Sequence, residues 1–170
     1  MFYVVTGGSG SGKSAYAEEL IIRSGSGPRI YIATMYPYDE ESHKRIARHR
    51  QMRAKKEFET VECYTDLASA QIPEGANVLL ECMSNLTANE LFRPEGARKD
   101  VSLSIMKGIR HLLDSCKNLI VVTNEIFSDG IRYDDETRNY QRILGDINVW
   151  MASISDHVTE IVYGIPLIFK

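Results

Sequence analysis

Gly7-Gly8-Ser9-Gly10-Ser11-Gly12-Lys13-Ser14 is the stretch that decides the fold of this chain. It follows the apolar run Phe2-Tyr3-Val4-Val5 and leads into Ala15-Tyr16-Ala17-Glu18-Glu19-Leu20, which reads as a helix. Strand, glycine loop and helix in that order make G-x-x-x-x-G-K-[ST] a phosphate site; a flexible Gly/Ser loop would not explain Lys-Ser at this spacing. Glycine permits the backbone angles that aim successive N–H groups at an anion. A helix beginning near Lys13 adds free N–H groups and the positive end of its dipole. Lys13 is then the residue for the β- and γ-phosphates, and the Ser14 hydroxyl the ligand for Mg²⁺. The chain is predicted to bind a nucleoside triphosphate.

Outward from this loop, apolar runs alternate with amphipathic stretches to the end of the chain. Strands are predicted at Phe2–Thr6, Arg29–Thr34, Glu59–Glu62, Val78–Glu81, Leu119–Thr123, Glu160–Tyr163 and Pro166–Phe169. Helices are predicted at Lys13–Arg23, Glu40–Lys56, Met83–Leu91, Val101–Cys116 and Thr137–Ile154. The internal strands are continuously apolar, as expected where both sheet faces are covered. The expected class is α/β: a P-loop (RecA-like), mainly parallel, twisted sheet with helices on both faces. At 170 residues it is read as one nucleotide-binding catalytic domain, 1–170. Ligands of such sheets gather at the carboxyl ends of the strands, which points to Thr34, Glu62, Glu81 and Thr123-Asn124-Glu125 as rim residues. Ser24-Gly25-Ser26-Gly27-Pro28 reads as a turn, and Arg93–Arg98 and Ser128-Asp129-Gly130 as loops.

Composition narrows the function classes. A net charge of −3 gives no electrostatic reason for a nucleic-acid partner. No apolar run approaches the ~20 residues of a membrane span. The N-terminus enters a strand directly, without a basic segment or cleavage signal. Cys63, Cys82 and Cys116 are far apart with no metal-ligand spacing and read as reduced, mostly buried thiols. The expected compartment is the cytoplasm.

The second informative stretch is Asp39-Glu40-Glu41-Ser42-His43-Lys44-Arg45-Ile46-Ala47-Arg48-His49-Arg50-Gln51-Met52-Arg53. Its acidic start and basic continuation suit a helix macrodipole. Arg45, His49 and Arg53 stand at i, i+4 and i+8 and so project from one face. A neutral imidazole is nucleophilic, and guanidinium groups beside it can hold the phosphates it attacks. His49 is thus a candidate nucleophile toward an α-phosphorus; the alternative is a solvated basic helix with an incidental histidine. His43 is off this face, and His111 and His157, assigned to other helices, read as structural or surface residues. Glu81 ends a buried strand, where P-loop proteins keep a carboxylate for the metal or its water shell; a buried, paired strand-end acid is the alternative. Glu62 could accept hydrogen bonds from a base or ribose. Thr123-Asn124-Glu125 is either a site segment or a turn cap, and Tyr36 and Tyr38 either stack on a ring or pack.

Taken together these segments resemble the bifunctional adenosylcobinamide kinase / adenosylcobinamide-phosphate guanylyltransferase family of cobalamin biosynthesis. The matching pieces are Val5–Ser14, Tyr31-Ile32-Ala33-Thr34, Arg45–Arg50 with Arg53, Glu62-Cys63, Leu79-Leu80-Glu81-Cys82 and Val121-Val122-Thr123-Asn124-Glu125. Arg138, Tyr140, Gly145 and Asn148 extend the match into the C-terminal helix. The resemblance implies that a nucleoside triphosphate (GTP or ATP) phosphorylates the aminopropanol hydroxyl of adenosylcobinamide. GMP then passes from GTP to that phosphate. It implies His49 as the guanylylated residue, beside Lys13. It further implies nucleotide contacts from Gly7, Gly8, Ser9, Gly10, Ser11, Gly12, Lys13, Ser14, Ile32, Ala33, Thr34, Arg50, Gln51, Met52, Arg53, Glu62 and Glu81. Mg²⁺ would sit at Ser14 and Glu81, and a homotrimer is implied as well.

Three departures from the family pattern stand out. Ser9-Gly10 replace its usual Ala-Arg, Val149 replaces a glutamine, and Ile126–Asp135 replace a glycine-rich Val-Pro turn. They fall where corrinoid or subunit contacts are expected. Two other functions compete with this reading. A small-molecule P-loop kinase would leave His49 uncatalytic and could take a lid arginine from Arg132 or Arg138. A GTP-binding regulator would want a guanine-reading Asn-Lys-x-Asp element, which the sequence lacks.

Overall fold

The apolar runs become the middle of one sheet. Val78, Leu79 and Leu80 are fully buried, as are Leu119, Ile120, Val121 and Val122. Their side chains alternate between two cores. Val78, Leu80, Leu119 and Val121 enter one, and Leu79, Ile120 and Val122 enter the other. That is the expected fate of a strand with no polar face. Each such side chain contributes about 1.5–3 kcal/mol of burial.

The structure is a computed structural model. It describes residues 1–53 and 56–170, with the side chains of Arg45, His49 and Met52 also outside the described residues. The elements run β1 (Phe2–Gly7), α1 (Lys13–Arg23), β2 (Arg29–Ala33), α2 (Glu40–Arg53), β3 (Phe58–Glu62) and β4 (Asn77–Glu81). Then follow α3 (Met83–Phe92), α4 (Val101–Ser115), β5 (Asn118–Val122), α5 (Asp135–Ile154), β6 (His157–Val162) and β7 (Ile165–Ile168). The seven-stranded sheet has the order β3-β2-β4-β5-β1-β6-β7. Every neighbouring pair is parallel except β6 and β7. On one face α1 seats Ala17 and Ile21. On the other lie Met83 and Leu86 of α3, Ile105 and Ile109 of α4, and Leu144 and Ile147 of α5. This is the expected α/β class.

Several boundaries differ from expectation for identifiable reasons. Asp134 accepts the Thr137 amide at 2.7 Å as an N-cap, so α5 begins at Asp135 rather than Thr137. β6 begins at His157 because its parallel pairing with β1 starts at Tyr3. His157 is therefore a strand residue and not a helical one, with its ring stacked on Tyr3 at 4.6 Å. The predicted helix Glu40–Lys56 crosses residues 54–55, which lie outside the described residues; α2 is described to Arg53, and Lys56 stands in a turn. No described helix is long and apolar enough to cross a membrane.

Register positions the site. Glu62 pairs with Ala33, Ala33 with Glu81, and Glu81 with Val122, so the strand ends form one row across β3, β2, β4 and β5. Val122 pairs with Val5, two residues before the glycine loop. The rim expected from strand ends is thus a line leading from Glu62 to the loop.

Candidate active site

The loop after β1 is built as a phosphate cradle. Gly7 has φ of +150°, and a Cβ there would stand 2.6 Å from the Ile161 carbonyl oxygen and 2.7 Å from Ser11 Oγ. Only glycine fits. Gly12, at φ of 97°, turns the chain into α1, and no side chain caps that helix. The α1 N-terminus therefore faces the cradle with its own N–H groups. Lys13 is buried, and its ammonium donates to the Gly8 carbonyl at 2.9 Å. Burial holds its pKa below the ordinary lysine value, partly offset by Cys82 and Glu81.

Glu81 joins this loop to the rest of the rim. Ser14 Oγ donates to Glu81 Oε1, and the Tyr31 hydroxyl donates to Glu81 Oε2 at 3.3 Å. Burial first, and Glu81 second, push the Tyr31 phenol far above its usual range, so it remains a donor. The Arg53 guanidinium lies 3.3 Å from the centre of the Tyr31 ring. Arg53 is only 5% exposed, yet its Nε and Nη1 have no hydrogen-bond partner among the described residues. Buried donors of that kind are costly unless a ligand satisfies them.

Two cavities connect along this row. A cleft of about 570 Å³ runs over Gly10–Ala15, Arg48, Glu81 and Asn124. A narrower pocket of about 70 Å³ lies between Tyr31, Ala33, Arg50, Arg53, Glu62 and Tyr64. Met35, Glu81, Cys82 and Asn85 border both. Glu62 is held by Arg50 and by the Tyr64 hydroxyl at 2.9 Å. Burial, then that hydrogen bond, push the Tyr64 phenol up to about 12.

The sequence-predicted residues separate into four groups. The loop residues Ser9 to Ser14, with Ala33, Arg50, Arg53, Glu62 and Glu81, line the connected cavities. Ile32 is core, and the buried Thr34 hydroxyl accepts the Cys82 amide at 2.7 Å and donates to the Cys82 carbonyl at 2.9 Å. Both sit beneath the wall rather than on it. Gln51 is exposed and borders neither cavity. His49, Arg45 and Met52 have side chains outside the described residues; their backbones belong to α2.

Thr123, Asn124 and Glu125 divide the two roles left open by sequence. Thr123 donates to Asn148 Oδ1 at 2.9 Å, Asn124 borders the phosphate cleft, and Glu125 caps a turn by accepting Phe127 N and Ser128 Oγ. Tyr36 packs on Tyr38 at 4.8 Å and on Tyr64 at 5.1 Å, with Arg93 3.6 Å above its ring. Arg48, Asn85 and Tyr31 were not singled out by sequence reasoning. Arg48 adjoins His49, and its signals were the Lys/Arg-rich helix and its place in the Arg45–Arg50 segment.

The donors fit a hard divalent cation held jointly with phosphate. Ser14 and Glu81 bring two oxygen ligands together at the mouth of the cradle. Among the described residues no cluster of three or more His, Cys, Asp or Glu side chains is arranged to hold a metal alone. Mg²⁺ commonly takes one or two protein oxygens and completes its shell with phosphate and water.

Comparison with known proteins decides the family. The model of the cobinamide kinase / cobinamide phosphate guanyltransferase family matches residues 3–169. The chain belongs to this family. The bifunctional adenosylcobalamin biosynthesis protein CobU of Escherichia coli (strain K12) is 33% identical over the whole of both chains. The protein of the same name from Salmonella typhimurium is 31% identical, again over the whole of both. Among solved structures, the flagellar accessory protein FlaH of Methanocaldococcus jannaschii superposes with a TM-score of 0.50 at 10% identity. It covers 99% of this chain and 77% of that one. That likeness concerns the fold alone. In a cobinamide kinase / guanyltransferase fold, the cleft over Gly10–Ala15 is the nucleotide-binding P-loop.

Proposed function

We propose that this enzyme phosphorylates the hydroxyl of adenosylcobinamide with a nucleoside triphosphate and then transfers GMP from GTP to the resulting phosphate. The second reaction is proposed to proceed through a guanylyl group on His49. The observation that carries this reading is the pair of adjoining cavities, one over the P-loop and one around Arg53, which share Met35, Glu81, Cys82 and Asn85 and are bordered by α2. Arg48 borders the phosphate end and Arg50 the nucleoside end, and His49 follows one and precedes the other in sequence. A triphosphate with its β- and γ-phosphates in the cradle and its nucleoside against Arg53 would bring its α-phosphorus to this junction.

Each residue then has a definite part. Lys13 and the loop amides hold the β- and γ-oxygens, and Ser14 and Glu81 would hold Mg²⁺, which would supply charge neutralisation at the phosphates. Arg53 offers its unpartnered donors to the nucleotide, and Glu62, oriented by Arg50 and Tyr64, accepts from the N–H edge of guanine. His49 attacks the α-phosphorus, pyrophosphate leaves, and the acceptor phosphate later displaces the histidine. A homotrimer is also proposed. β7 lies at the sheet edge with Ile165, Leu167 and Ile168 exposed, an apolar edge suited to another copy. We place the enzyme in the cytoplasm.

Incubation with α-labelled GTP and Mg²⁺ should leave an acid-labile, base-stable GMP label on the protein that His49→Ala lacks. No label on the wild type, or equal label on His49→Ala, would sink the guanylyl-histidine reading. Light scattering that gives a monomer of 19.2 kDa would dismiss the trimer.

A further inference from the structure

A third cavity adjoins the phosphate cleft and is separate from the nucleoside pocket. It has a volume of about 430 Å³ and lies between the loop after β5 and the first turns of α5, with Glu125, Asp129, Tyr133 and Gln141 on its walls. It shares Ser9 and Asn124 with the phosphate cleft and no lining residue with the Arg53 pocket. The three spaces therefore stand in series: nucleoside pocket, phosphate cradle, third cavity. A triphosphate anchored by its nucleoside at one end directs its terminal phosphate toward the other. An acceptor for that phosphate must arrive in line with the leaving oxygen, from the end away from the nucleoside.

We propose that this cavity holds the hydroxyl-bearing arm of the acceptor during γ-phosphoryl transfer, with Glu125 taking the alcohol proton. The inference rests on the kinase reading above and adds the position of the acceptor. Glu125 is fixed to the cradle itself, since its amide donates to the Gly7 carbonyl at 3.0 Å. Phe127 N and Ser128 Oγ both donate to its Oε1 at 2.9 Å, which fixes the carboxylate plane. A carboxylate has about four lone-pair sites, so these two bonds leave capacity for an alcohol. The Gln141 amide donates to the Ile126 carbonyl at 3.0 Å and ties the loop to α5.

The cavity is large enough for a flexible arm and too small for a macrocycle. The bulk of the acceptor would lie outside, on the rim, where Phe127 is 45% exposed and Ile131 62% exposed. The Phe127 ring is seated over Gly145 of α5, 3.6 Å from where a Cβ would stand. In the reaction, the alcohol oxygen forms its bond to the γ-phosphorus. The bond from that phosphorus to the β–γ bridging oxygen breaks, and its electron pair stays on the nucleoside diphosphate. The alcohol proton passes to Glu125. Phosphoryl transfer and guanylyl transfer thus take place at opposite ends of one triphosphate.

The test uses the full chain with Mg²⁺, γ-labelled triphosphate and cobinamide. Glu125→Gln should lower kcat of phosphoryl transfer about 100-fold, with unchanged KM for the triphosphate and residual activity rising with pH. Phe127→Ser with Ile131→Ser should raise KM for cobinamide about tenfold and leave kcat near wild type. Both variants should still label themselves with GMP from α-labelled GTP, which also reports that they fold. Unaltered phosphoryl transfer in these variants overturns the placement, as does an equal loss of self-labelling. Failure of the wild type to phosphorylate cobinamide overturns the kinase reading and this placement with it.

Discussion

The helix that follows the P-loop and the helix that carries His49 are held in place by opposite means. α1 is anchored by burial: Ala17 and Ile21 are fully enclosed, and the chain enters it through a loop whose Gly7 has no room for a Cβ. Among the described residues of α2, Arg53 alone is buried. The C-terminal end of α2 is held by polar ties. Arg53 lies over Tyr31, Arg50 meets Glu62, and Lys56 just beyond it meets Glu18, which is buried on α1. The phosphate cradle is thus preformed by the core, while the helix bearing the proposed nucleophile depends on polar ties. That suits the proposed reaction, in which the attacking group must meet an α-phosphorus and then yield it.

The largest expected effect lies on the α1 side. Lys13→Ala should reduce triphosphate affinity and both transfers by about 100-fold or more, because a charge at the developing phosphate anion is lost. Unchanged binding and turnover would remove the P-loop from the reaction. Next, Lys56→Met should lower stability by about 3 kcal/mol in urea unfolding, since it leaves the Glu18 carboxylate buried without its partner. If stability held, α2 would owe its position to something other than these ties.

Arg53→Lys keeps the charge but loses the planar group that covers Tyr31, so nucleotide affinity should fall about tenfold with little change in the unfolding midpoint. Glu62→Gln should alter stability by less than about 1 kcal/mol, because the Arg50–Glu62 pair is half exposed and screened. It should nonetheless narrow the preference for GTP over ATP in competition binding. An unaltered preference would take Glu62 out of base recognition.

The smallest effect concerns Cys82, which borders both the P-loop cleft and the Arg53 pocket. Burial pushes its thiol up to about 11. A raised thiol pKa favours the neutral form, so at pH 8 only about one part in a thousand is thiolate. Alkylation by iodoacetamide should be negligible at pH 8 and should rise as the pH approaches 11. Rapid modification at pH 8 would show that the cleft floor is more open than the α1 side of the comparison requires.

Much of this site was legible in the sequence because its signals are local. The glycine loop, the apolar strands and the acids at strand ends each depend on a few consecutive residues, and sheet register then aligned Glu62 with Glu81. Tyr31 was not legible as a link, because its role needs Arg53 from α2 and Glu81 from β4 to meet at one ring. Thr34 looked like a nucleotide contact, but its hydroxyl is satisfied by the Cys82 backbone beneath the cleft wall. His157 looked helical by its neighbours, and pairing with β1 made it a strand residue.

The sequence by itself determined that the chain carries a nucleotide-binding P-loop, since G-x-x-x-x-G-K-[ST] between strand and helix already contains the donors an anion needs. Its run of family segments also determined which enzymes it resembles. Only the tertiary structure decided that the cradle lies between two other cavities, one lined by Arg53 and one by Glu125. The reason is physical: residues far apart in the chain share a cavity only through the order of the strands and the crossings of the helices. That order turns a phosphate-binding loop into a site with two ends.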